Sequence, residues 1–301
     1  MSHQQESVRG INEKTGLFVL ILLMGAGMVT GSLLSMVAWK ISGGGQLEDF
    51  QLALANPANV GFIRLAQTIL AACIFFIPAI VATWLVSRKP FLFIGFRESI
   101  KASTLLWGCL LMGITIFLSG SLATLNEMIP LSESLKIYAQ SLEASYMRQM
   151  ELMSIMNGMG DLLIALLVMA LAPALFEEVF FRGSFQNLMY RATGQMWTSI
   201  LITSLLFSAI HFSFYGFLSR LALSIVLGLL YAYTQSIWMV VIAHFLNNAM
   251  GVFQIYYLRM KGLPIAELNE DKYPIWWGII ALGALIYLFS YFKKSADGIR
   301  S

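Results

Sequence analysis

The chain has 301 residues, is 58% hydrophobic and 12% charged, and has a mean hydropathy of +0.75. Soluble domains carry about 25% charged residues, so the composition argues against a water-soluble globule. The formal charge of +3 is spread over loops with no basic stripe, which argues against a nucleic-acid partner. Cys73 and Cys109 both lie in apolar runs, so neither a disulfide framework nor a thiolate metal cluster is indicated.

A helix needs about 20 apolar residues to cross a hydrocarbon core of ~30 Å. Runs of this kind predict eight spans, at 17–39, 62–86, 103–124, 161–181, 196–212, 217–233, 237–258 and 275–292. The expected fold is all-α, a polytopic transmembrane helical bundle forming one membrane domain over 1–301. The first run is longer than a signal-peptide core and lacks a small-residue cleavage pattern, so it reads as a retained helix. Arg88, Lys89, Arg97 and Lys101 outnumber Glu98 in the loop at 87–102, and Lys293, Lys294 and Arg300 outnumber Asp297 in the tail. By the positive-inside rule both segments are cytoplasmic. The segment 125–161 carries Lys136 and Arg148 against Glu127, Glu133, Glu143, Glu151 and Asp161, and Glu48 and Asp49 follow the loop at 43–46; both read as external. With Arg9 and Lys14 ahead of the first span, an even-numbered topology with both termini inside satisfies every segment.

Within 1–160, after three spans, Leu131, Leu135, Tyr138, Leu142 and Tyr146 recur at helical spacing among polar residues. They predict an amphipathic helix on the membrane surface. Its simplest role is a connector, with a substrate-facing lid as the alternative.

Ionisable residues at membrane depth cost a few kcal/mol each, so each is a functional hypothesis. Arg220 sits near the outer end of its span, where it can snorkel to the interface, and is given no catalytic role. The apolar stretch 162–176 is too short to span alone, so its helix runs on through Glu177 and Glu178. Arg182, four residues after Glu178, is placed to pair with it. Glu177 points about 100° away and lacks that partner, which makes it the better general base. Pro173 removes a backbone donor and is expected to kink the helix one turn earlier. His3 belongs to the polar terminus, whereas His211 and His244 lie within or at the end of apolar spans. Asn248, four residues after His244, shares its helix face.

A carboxylate, two imidazoles and a carboxamide, with no serine or cysteine placed as nucleophile, suit amide hydrolysis by an activated water. Glu177 would take the proton of a water held with His211, while His244 and Asn248 would donate to the oxyanion. A second version uses Zn²⁺, since Glu177, His211 and His244 are the ligand types of a catalytic zinc site with one open position. At 1.5 Å per residue His211 lies ~21 Å from Trp197 along its helix, and His244 only ~10 Å from Ile237. A long fourth helix reaching past Arg182, with the fifth span shifted or tilted, would bring them to one depth.

At these residues the sequence resembles the CPBP (ABI) family of membrane proteins, related to the type II CAAX prenyl endopeptidases. Glu177-Glu178-Val179-Phe180-Phe181-Arg182 is similar to the family's Glu-Glu-x-x-x-Arg, Phe207-Ser208-Ala209-Ile210-His211 to its Phe-x-x-x-His, and His244-Phe245-Leu246-Asn247-Asn248 to its His-x-x-x-Asn. The resemblance covers about 160–250, a catalytic core, and leaves the first three spans and the last, 275–292, without a motif. It implies that Glu177 is the catalytic glutamate, with His211, His244 and Asn248 around the same cavity, and that membrane-associated peptides or proteins, including CAAX-type ones, are substrates. No eukaryotic targeting feature appears, so an integral protein of a bacterial inner membrane, in contact with lipid, is expected. Two readings from other classes stand beside it: an ion-coupled transporter using the same polar residues as a relay, although no inverted repeat is visible, and a non-catalytic immunity or scaffold protein.

Overall fold

The computed structural model describes residues 10–96, 99–265 and 273–297, and the statements below concern these. His3, Arg9, Arg97, Glu98 and Arg300 lie outside them, as does the side chain of Asp297. The described chain is helical with no sheet. Seven helices are long and apolar enough to cross a membrane: α1 (Glu13–Ile41), α2 (Pro57–Val86), α3 (Ala102–Glu127), α5 (Met159–Thr193), α7 (Phe217–Thr234), α8 (Ile237–Met260) and α9 (Ile275–Ala296). Between them lie α4 (Glu133–Met153), the expected amphipathic helix, and α6 (Met196–Ala209).

The difference from the eight expected spans falls at α6. Its apolar composition runs on to Phe214, but the helix stops at Ala209 because the chain turns at Phe212, which sits in the left-handed region at φ 50°. Fourteen residues reach only about 21 Å, short of the hydrocarbon core. α5 departs in the other direction. It runs past Arg182 to Thr193 as the depth argument required, and contains two π-helical segments, Leu166–Leu171 and Val179–Gln186. The first ends one residue before Ala172–Pro173, so the widened turn accommodates the ring that cannot donate to the preceding turn.

Packing around these irregular turns defines the bundle. α1 lies against α2 where Gly27 meets the carbonyl of Cys73, inside the π-helical segment Ala72–Phe76. A β-carbon at Gly27 would overlap that backbone, so only glycine permits the approach. Elsewhere α3 packs on α7 and α9, α6 on α7, and α8 on α3 and α5. The larger apolar core gathers Phe180, Phe181, Phe207, Leu227, Leu230 and Val240 from α5 to α8. Large apolar side chains such as Leu106, Leu163, Ile279 and Ile286 face outward, which is the arrangement expected where lipid replaces water as solvent.

α4 is more than the connector that its simplest reading supplied. Its C-terminal end is clamped by two guanidinium groups: Arg64 of α2 donates to Met153 O (3.0 Å) and Ile155 O (2.8 Å), and Arg259 of α8 to Glu151 O (3.1 Å). Cations at the unsatisfied carbonyls of a helix end are favoured by both hydrogen bonding and the helix dipole. The clamp holds α4 as one wall of a cavity that is also lined by α2, α5 and α8.

Candidate active site

That cavity has a volume of about 640 Å³ and is lined by Glu177, His211, His244 and Asn248 together with Pro173, Phe75 and residues of α4. The four side chains singled out from the sequence therefore share one chamber. Glu177 has no hydrogen-bond or ion-pair partner among the described residues, whereas Glu178, one position on, is fully buried in the opposite direction. Helical geometry separates them, as neighbouring positions lie about 100° apart.

Glu178 and Arg182 form the expected pair, with Arg182 Nη1 donating to Glu178 Oε1 over 2.6 Å and both side chains at 0% exposure. Two further contacts hold the guanidinium. Its Nη2 donates to Ser224 Oγ (2.7 Å) and Ser224 O (3.1 Å) on α7, and its carbon lies 4.9 Å from the centre of the Phe207 ring. Glu178 Oε1 also accepts from His244 Nδ1 at 2.8 Å. A buried carboxylate thus ties α5 to α7 through the arginine and to α8 through the histidine.

This contact constrains what His244 can do. With Nδ1–H given to the carboxylate, the neutral ring leaves Nε2 as an acceptor, and His244 donates from Nε2 only when it carries both protons. His211 is constrained in the same way: its Nδ1 lies 2.8 Å from Phe207 O, a carbonyl that can only accept. Nδ1 therefore carries the hydrogen and Nε2 is left free to accept one from water. The same bond folds the imidazole back one turn, about 6 Å along the helix, which contributes to bringing His211 to the depth of His244. Phe207 sits between the two rings, 5.0 Å from His211 and 5.9 Å from His244 between centroids.

Asn248 Oδ1 accepts from Asn247 Nδ2 at 3.2 Å, which leaves the Asn248 amide hydrogens for the cavity. Asn247 and Ser224 are given no role by the sequence, and Phe207 enters only as a motif position, because each supports a polar residue carried by another helix or by its own neighbour. Arg220 departs from the expectation that it snorkels outward. It turns inward, where Nη2 donates to Ser213 O at 2.7 Å, beside the Ser213 Oγ bond to Glu143 Oε2 (2.7 Å) on α4. The Ser213 carbonyl and the nearby Glu143 carboxylate give the cation polar partners on the protein side.

The zinc version required Glu177, His211 and His244 to converge on one point. Among the described residues no three His, Cys, Asp or Glu side chains are grouped so as to hold a metal ion. With the three side chains not grouped around one point, the chemistry proposed for this site uses water and protein groups alone.

No curated protein and no solved structure matches the chain. The family model described as type II CAAX prenyl endopeptidase Rce1-like matches residues 159–250, from the start of α5 to the middle of α8, and so takes in Glu177, Glu178, Arg182, His211, His244 and Asn248. Over that stretch the chain is similar to CAAX-protease-like proteins.

Proposed function

We propose that the protein is an intramembrane endopeptidase that cleaves membrane-associated peptide substrates, CAAX-type ones among them, with Glu177 as general base. The observation that carries this reading is an unpartnered carboxylate sharing one cavity with His211, His244 and Asn248. Water held by Glu177 and by Nε2 of His211 attacks the scissile carbonyl carbon. Its proton passes to Glu177, and the carbonyl oxygen becomes an oxyanion facing the Asn248 amide. Collapse of the intermediate breaks the C–N bond, and Glu177 returns the proton to the leaving amine. His244, oriented by Glu178, adds a second donor only in its doubly protonated form. The lining from α2 and α8, which includes Leu70, Ile74, Val252 and Ile255, suits an apolar substrate segment. Both termini are cytoplasmic in this reading, with the short helix α6 taking the chain across as an eighth span beside the seven long ones, and the setting is a bacterial inner membrane.

The test is cleavage of a panel of prenylated and unprenylated membrane peptides by the purified protein. The wild type should cleave at least one, Glu177→Gln should lose activity by about 10²-fold or more, and a chelator should leave the rate unchanged. Cleavage that survives in Glu177→Gln would remove the general base from the mechanism. Failure to cleave any peptide would favour the scaffold or transporter readings, and loss of activity on chelation would restore the metal.

A further inference from the structure

The motif-bearing helices supply the oxyanion with one donor that needs no change of protonation, the Asn248 amide, because His244 has given Nδ1 to Glu178. Sites of this kind usually aim two or more donors at the oxygen. α5 and α6 bring no further neutral donor to the cavity, and Asn247 Nδ2 on α8 is engaged with Asn248 Oδ1, which leaves the wall formed by α4.

α4 brings three polar side chains to the cavity: Ser145, Tyr146 and Gln149. Ser145 Oγ donates to Ser141 O at 3.0 Å, and Gln149 Nε2 donates to Gln67 Oε1 at 3.0 Å. Tyr146 Oη has no hydrogen-bond partner among the described residues, although the side chain is half-buried and within electrostatic reach of Glu177. A half-buried phenol whose hydroxyl has no protein partner keeps its donor available to a group that enters the cavity. Burial pushes its ionisation above the ordinary phenol range, and the Arg220 charge opposes that only in part, so the hydroxyl keeps its proton. The position of the helix is fixed from both sides of Tyr146: by Glu143 on Ser213, one turn before it, and by the Arg64 clamp beyond its end.

We propose that Tyr146 donates its hydroxyl hydrogen to the scissile carbonyl oxygen as that oxygen becomes an oxyanion, so that the amphipathic helix α4 completes the catalytic site. Tyr146 is then a catalytic residue contributed from outside the motif-bearing helices. The inference rests on the proteolytic reading above and gives α4 a chemical role in addition to a covering one.

The experiment compares Tyr146→Phe with wild type on the peptide of the panel that the wild type cleaves best, with kcat and KM measured separately and thermal melting of both proteins recorded in detergent. Phenylalanine keeps the ring and removes only the donor. The expected result is a fall in kcat of about a hundredfold with KM nearly unchanged and the same melting temperature. Leu142→Ala, on the same cavity wall one turn earlier, should instead raise KM with a smaller effect on kcat. A Tyr146→Phe protein with wild-type kcat overturns the inference while leaving the Glu177 mechanism standing. A loss carried by KM, or one accompanied by a lower melting temperature, overturns it as well, since Tyr146 would then be only wall or packing. If the wild type cleaves no peptide while folded, the inference falls together with the proposed function.

Discussion

Replacing Arg182 by alanine should be among the most damaging single changes for folding, and the structure gives its size. The substitution deletes the 2.6 Å bond to Glu178, both contacts to Ser224 and the cation over Phe207. What matters more is the group left behind, since Glu178 keeps 0% exposure and loses its only permanent counter-charge. Breaking a buried ion pair from one side costs about 3–5 kcal/mol, which corresponds to a fall in melting temperature on the order of 10 °C. The double variant Arg182→Ala with Glu178→Gln removes the stranded charge and should recover most of the loss, because a neutral amide is far cheaper to bury than an unpaired carboxylate. Thermal unfolding of the four proteins in one detergent forms a double-mutant cycle. Additive losses, or an Arg182→Ala protein that melts like wild type, would refute the idea that the pair acts as a unit.

Two other expectations concern packing and topology. Gly27→Val should lower the yield of folded protein more than Gly25→Val, because a β-carbon at Gly27 overlaps the Cys73 carbonyl whereas Gly25 has open space around it; comparable yields of monodisperse protein would refute the close packing of α1 on α2. Single cysteines placed at Lys14 and at Lys293, in a background with Cys73 and Cys109 replaced, should both be labelled from the cytoplasmic side only, and external labelling of either would refute the shared orientation of the termini.

Much of the bundle was legible because lipid imposes a length rule that composition satisfies almost alone. The rule failed where backbone geometry, not hydropathy, ends a helix. The run at 196–212 keeps the same mixture of apolar and small polar residues up to His211, so nothing in its composition marks the stop at Ala209 or the left-handed Phe212. Arg64 was hidden for a related reason: it lies inside a predicted span and reads as a lone charge, yet its partners are backbone carbonyls at Met153 and Ile155, which no pattern of residue types announces. The inward turn of Arg220 is a similar case, with a loop carbonyl as acceptor.

The site divides along the same line. Pairs at i and i+4 on one helix were accessible from spacing, and Glu178 with Arg182 is found as spacing requires. Its consequence for His244 was not accessible, because the bond from α8 to α5 depends on how two helices are rotated against one another. That bond changes the chemistry. The sequence places His244 and Asn248 on one face as equal donors, whereas the structure gives the His244 Nδ1 hydrogen to Glu178 and leaves Asn248 as the neutral donor. Asymmetry among residues of one motif therefore follows from the structural carboxylate beside the proposed general base. The paired glutamates serve opposite needs: Glu177 is useful because it is left without a partner in the cavity, and Glu178 because it is buried with two, orienting the imidazole that faces the same chamber.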